Sequence, residues 1–273
     1  MTGDIVSDEQ SETDFVEEWE QWHRTREDRL ASPHGFLAIT GLHWLGGDPE
    51  RFHDAPGAWS STNDGVDVEL ADGEELVIDD GLVTGHHRFH SLDEHGTWAH
   101  HGDVVIEVAL RDGRCMIRPR DPNNEVRTNY SGTPAYPAST RWVVPGEFVP
   151  YDTPQSVTVG ASIDGLEHVF SSSGEVEFEL SGMTLRLIAF DEEETDELSF
   201  IFSDVTSGVT TYPACRFLTV SAAREDGRVD MDFNRATNPM CAYTEFATCP
   251  LPPAGNHLPV RVEAGEKIPI NSH

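Results

Sequence analysis

Lysine is nearly missing from this chain of 273 residues: of its 18 basic residues only Lys267 is lysine, and the rest are arginine. Basic charge of any kind is scarce, with 49 aspartates and glutamates giving a formal net charge of −31. A surface of that sign repels nucleic acid and anionic membranes, so neither is expected as a partner. Long apolar runs are missing too, and none approaches the roughly 20 residues of a membrane helix. The first twenty residues hold eight acids and no base, the reverse of a secretory leader, so a cytoplasmic protein is expected. Four cysteines, at 115, 215, 241 and 249, are too few for a disulfide scaffold in a chain of this length. There is no G-x-S-x-G elbow, P-loop or H-E-x-x-H, and no motif names a cofactor.

Acid excess with almost no lysine resembles proteins that work in molar salt, where the Debye length falls to about 3 Å and self-repulsion is screened. Stability should therefore decline on dilution of salt. A melting temperature followed from molar to dilute salt checks this, and an unchanged value would contradict it.

What is present points to an all-β fold, an antiparallel barrel or sandwich. Residues 1–13 are acidic and are expected to be a frayed tail, followed by one β-rich domain over 14–273. Phe15, Trp19, Trp22, Arg26 and Leu30 recur at helical spacing, so an amphipathic helix is predicted over about 14–31, ended by the SPHG stretch. GFLAITGLHWLGG, at 35–47, reads as a short buried strand and a turn. From there to about residue 230, short alternating runs such as VVIEVAL, VEFEL and LSFIFSD are separated by DG, RDG and EDG turns, the spacing of hairpins. Acidic DEEETDE, at 191–197, is expected as a solvated loop.

Four groups of residues could carry chemistry. Six histidines, at 86, 87, 90, 95, 100 and 101, would converge on a metal if VTGHHRFH and TWAHH paired as a hairpin; a solvated polar face explains them as well, and no metal is assigned. Arg111, Arg114, Arg118, Arg120, Arg127 and Arg141 crowd into 104–145 against only four acids, either as an anion-binding wall or as partners of Asp121 and Glu125. Cys241 and Cys249, spaced C-x7-C with His257 eight residues on, read as reduced buried thiols, with a disulfide or zinc as the other options. Lys267 stands where every other cation is arginine, which suggests a need for a compact charge; pairing with Glu263 or Glu266 is the plainer explanation.

The runs SDVTSGVTTYPACRFLTV (203–220) and DFNRATNPMCAYTEFATCPLPPAGNHLPVRVEAGEK (232–267) resemble the signature of the domain of unknown function 1684 family of bacteria and archaea. Similarity extends upstream through WHRTREDRL, GFLAITGLHWL and RPRDPNNEVRTNYSGTPAYP. The chain departs from that pattern at Thr237 and Met240, where Tyr and Pro are usual, and at Cys215, where Gly is usual. The family carries no assigned activity. Within this frame the expectation is one pocket roofed by a long irregular C-terminal segment. Arg120, Arg127 and Arg216 would clamp a carboxylate- or phosphate-bearing ligand there, with Asn234, Arg235 and Asn238 reading neighbouring groups. If a reaction occurs, a hydrolysis with Asp204 as base and Tyr212 or Lys267 as electrostatic support comes first. A structural or partner-binding module, with the asparagines spent on internal hydrogen bonds, is the third reading.

Overall fold

The computed structural model describes residues 3–270 apart from 91, 94, 193 and 194, and no side chain before residue 11. Contacts divide the chain into two compact units. One, the inserted unit, is Asp28–Tyr130 with Thr244–Ala247; the other, the framing unit, is Met1–Glu27, Ser131–Tyr243 and Thr248–His273. Both are built from antiparallel sheet, so the all-β expectation is met. No described helix is long and apolar enough to cross a membrane.

Among its described residues the inserted unit carries the strands β1 (His43–Trp44), β2 (Glu50–Phe52), β3 (Ala55–Thr62), β4 (Gly65–Glu69), β5 (Leu76–Ile78), β6 (Gly81–Val83), β7 (His86–Phe89), β8 (Thr97–His101), β9 (Val104–Arg111) and β10 (Arg114–Arg120). They form a six-stranded sheet ordered β1-β10-β9-β8-β5-β6 and a four-stranded sheet β2-β3-β4-β7. Alternation places Trp59, Val66, Val68, Leu76, Ile106, Val108 and Ile117 in one core. The histidine-bearing strands do not pair with each other. Strand β7 runs beside β4 because Arg88 makes a two-pronged ion pair with Asp67, at 2.5 and 2.6 Å, while Phe89 stacks on the buried Trp59 at 5.8 Å. Strand β8 lies instead in the six-stranded sheet, against β9 and β5. GFLAITGLHWLGG forms a single 3₁₀ turn, Phe36–Ala38, before the two-residue β1.

The framing unit carries β11 (Val143–Gly160), β12 (Glu167–Leu180), β13 (Met183–Asp191), β14 (Leu198–Asp204), β15 (Arg216–Val220), β16 (Arg228–Asp232) and the two-residue β17 (His257–Leu258). Their order is β15-β14-β13-β12-β11-β16, with β17 parallel to β14, and the sheet curls into a half-barrel. Val176, Phe178, Leu187, Phe200, Phe202, Leu218, Met231 and Phe233 fill its concave side. The acidic stretch lies between β13 and β14, with residues 193 and 194 outside the described ones.

Helix α1 spans Gly3–Leu30, beginning well before the predicted start. The expected tail over 1–13 falls largely on residues whose side chains are not described, but 11–13 are helical. Its predicted stripe is the buried one: Trp19 and Leu30 are buried, and Phe15, Trp22 and Arg26 half-buried. Among the described residues after Asp232 the named elements are 3₁₀ turns and β17, which is the long irregular segment foreseen from its prolines.

Candidate functional site

Apart from β17 and isolated bridges the described part of the irregular segment makes no ladder, so its backbone and polar side chains must find partners elsewhere. Asn234 does so completely. Its amide oxygen accepts from Ser139 N at 3.0 Å, its amide nitrogen donates to Ser139 O at 3.0 Å and to Asp232 Oδ1 at 2.8 Å, and its carbonyl accepts the Trp19 indole N–H at 2.7 Å. Arg235 reaches Glu18 Oε1 at 2.9 Å and Asp232 Oδ2 at 3.2 Å, with its guanidinium 5.4 Å above Trp22. Glu266, only 1% exposed, receives Arg26 Nε at 2.6 Å, Arg26 Nη2 at 3.1 Å and the Asn238 N–H at 2.6 Å. Trp19, Glu18, Trp22 and Arg26 all belong to α1. The side chains of Arg235 and Glu266 and the backbone carbonyl of Asn234 therefore grip that helix, while the Asn234 side chain ties Ser139 to Asp232.

Asp204, at the end of β14, and Arg216, opening β15, form a buried pair with 2% and 1% exposure. Asp204 Oδ1 accepts from Thr206 Oγ1 at 2.8 Å and Arg216 Nη2 at 3.3 Å, and Oδ2 accepts the Val262 N–H at 2.6 Å. Arg216 further donates to the carbonyls of Val262, at 3.1 Å, and Ala264. Burial lowers the Arg216 pKa, opposed chiefly by the charge of Asp204. Both Asp204 oxygens are committed, so the geometry leaves no face for a general base.

The inserted unit spends its arginines in the same way. Glu107, on β9, accepts from Arg118 at 3.0 and 2.8 Å, from Arg120 at 2.7 Å and from Arg111 at 2.8 Å. Arg120 also donates to His34 O at 2.9 Å. Arg127 caps the carbonyls of Ala31, Ser32 and Pro122 at 2.9, 3.1 and 2.7 Å. The Asp121 and Glu125 pairing considered from sequence is not what holds them. A groove of about 470 Å³ in the framing unit is lined by Glu147, Glu177, Glu179, Asp226 and Arg228, among others. Four carboxylates against one guanidinium make it the wrong sign for an anion.

Lys267 is placed differently. Gly265, at φ +73°, sets the turn: a side chain there would bring Cβ to 2.4 Å from Ala236 O. Lys267 N then donates to Pro134 O at 2.7 Å, and its ammonium lies 4.4 Å from the centroid of the Tyr136 ring. The Tyr136 hydroxyl meets Thr210 Oγ1 at 2.5 Å. Glu263 pairs with Arg261 at 3.0 Å and Glu266 with Arg26, so neither sequence-adjacent acid serves the lysine. Among the described residues no carboxylate lies within ion-pairing distance of its ammonium. Asn238 adjoins it: the side-chain nitrogen donates to Lys267 O at 2.7 Å, and the buried Oδ1 has no hydrogen-bond partner. Tyr212 is elsewhere, its hydroxyl donating to Cys241 O at 2.7 Å. His257 meets Ser203 at 3.0 Å, apart from the cysteines. No three His, Cys, Asp or Glu side chains among the described residues are arranged to hold a metal ion.

Sequence reasoning missed the roles of Glu107 and Tyr136 and the pairing of Arg26 with Glu266. The signal for Glu107 was a lone carboxylate inside the apolar strand VVIEVALR, a placement tolerated only with paired cations.

These features define a β-rich protein in which an irregular C-terminal segment holds an N-terminal helix and presents one lysine on an aromatic ring. The family of proteins of unknown function designated DUF1684 matches residues 128–267, and this chain belongs to it. It is also similar to the solution NMR structure of an uncharacterized protein from Haloarcula marismortui, at 29% identity and a TM-score of 0.45, over 53% of this chain and 80% of that one. No curated protein matches.

Proposed function

We propose that the framing unit binds a small anionic group, a carboxylate or phosphate, at Lys267. The carrying observation is the ammonium itself: half-buried over Tyr136, in a chain with 49 acids, it has no carboxylate partner among the described residues. An ammonium on an aromatic face keeps its other N–H groups for an incoming acceptor. Tyr136, whose ring carries the ammonium, supplies a hydroxyl that is bonded to Thr210. In this reading Arg120, Arg127 and Arg216 hold the fold, and recognition rests on one compact cation. Hydrolysis with Asp204 as base gains no support from its fully occupied oxygens.

Titrating the protein with phosphate, citrate and acetate while following the Lys267 side-chain NMR signal tests the site. Saturable shifts are expected for at least one anion, with affinity reduced about tenfold or more in Lys267→Met, a loss in the range of a charge-assisted hydrogen bond. Absence of any saturable shift in the unmodified protein, or equal affinity in Lys267→Met, would remove the reading.

A further inference from the structure

Cys215, Cys241 and Cys249 lie in the framing unit, and two of them meet. The Cys241 N–H donates to Cys249 Sγ at 3.2 Å, which puts that sulfur within about 4.7 Å of the Cys241 Cα, given an N–Cα bond of about 1.46 Å. The two thiols also hydrogen-bond each other, so the sulfurs are already neighbours, as closing a disulfide requires. Both thiols are free. Their settings differ: Cys249 is buried, whereas Cys241 is half-buried, with the hydroxyls of Tyr212 and the exposed Ser162 beside its sulfur.

We propose that Cys241 and Cys249 form a peroxide-reactive dithiol, with Cys241 as the attacking sulfur and Cys249 as the resolving one. The surroundings favour this division of labour. A hydrogen bond from Cys249, opposed by burial and aided by Tyr212 and Ser162, lowers the Cys241 thiol to about 7, while Cys249, as the donor and as a buried group, is held far above its ordinary value. Cys215 is excluded from the role, since it is fully buried, is raised by that burial and faces Pro250 O at 3.7 Å. The Cys241 thiolate attacks the terminal oxygen of a small hydroperoxide. The O–O bond breaks, the departing oxygen takes a proton and leaves as water or alcohol, and Cys241 becomes a sulfenic acid. Cys249 then gives up its proton, its sulfur displaces the sulfenic oxygen as a second water, and the disulfide closes. Two thiols are oxidised and one peroxide is reduced.

The test treats the full chain with hydrogen peroxide and then counts thiols and maps peptides. The unmodified protein should lose two of its four thiols and two hydrogens of mass, yielding a Cys241–Cys249 linked peptide. Cys241→Ser should keep its remaining thiols, and Cys249→Ser should stop at a Cys241 sulfenic acid captured by dimedone. As a readout that needs no variant, iodoacetamide at neutral pH should alkylate the half-buried Cys241 about tenfold faster than the buried Cys115 in the folded protein, as expected for an accessible thiol with a lowered pKa. The inference is overturned if alkylation of Cys241 is no faster than that of Cys115. It is equally overturned if peroxide carries Cys241 to the sulfinic acid while Cys249 stays a thiol.

Discussion

Asp204→Ala is expected to destabilise the protein by roughly 3–5 kcal/mol, the cost of leaving a buried cation without its counter-charge. Arg216 is 1% exposed and cannot turn outward, because the carbonyls of Val262 and Ala264 hold its guanidinium inside the half-barrel beneath the C-terminal segment. The same substitution strips the Val262 N–H of its acceptor at 2.6 Å and leaves the Thr206 hydroxyl only Thr211 Oγ1, at 2.8 Å. Urea unfolding of Asp204→Ala, Arg216→Met and the double variant separates these effects. Each single change should cost more than half of the double, because the second change removes the group that the first left uncompensated. If the two costs simply add, Asp204 and Arg216 do not act as a pair.

This arrangement explains why the cations were misread from sequence. Seventeen arginines in an acidic chain stand out as potential ligand clamps, but the pattern does not say which carboxylate each will meet. Glu107 and Arg118 are eleven residues apart and face each other only because β9 and β10 pair Arg118 with Glu107 in register. The link between Arg26 and Glu266 spans 240 positions. Local periodicity carries no trace of either. What periodicity does carry, the alternation of the core strands and the apolar stripe of α1, was legible. The exceptions have physical causes as well. Pro145, Pro150 and Pro154 hid the length of β11, where a register shift between Pro150 and Gln155 accommodates the latter two and Pro145 stays in register opposite Asp230. The two histidine strands looked like a hairpin because turn residues lay between them, yet Arg88 and Phe89 had better partners on β4 and β3. Lys267 was singled out from composition alone, and its isolation from acids is visible only in three dimensions.

Glu107→Gln should be the most damaging change in the inserted unit, at roughly 3 kcal/mol or more near neutral pH, since it leaves Arg118 and Arg120 buried with a neutral partner. The pH dependence identifies the cause. Burial pushes the Glu107 pKa up, but the charges and hydrogen bonds of Arg118 and Arg120 outweigh it and hold the carboxyl below its usual range. A carboxylate whose pKa is depressed by folding stabilises the folded state fully above its unfolded pKa, about 4.3. That contribution is lost as pH falls through the lower, folded value. The gap in stability between the unmodified protein and Glu107→Gln should thus be widest at neutral pH and narrow steadily below about pH 4.3, because protonation makes the native side chain as neutral as glutamine. A gap that stays constant from neutral to acid pH would mean that Glu107 contributes by shape and hydrogen bonding. The arginines around it would then be stabilised by their carbonyl contacts and by Trp98, 5.0 Å from the guanidinium carbon of Arg120.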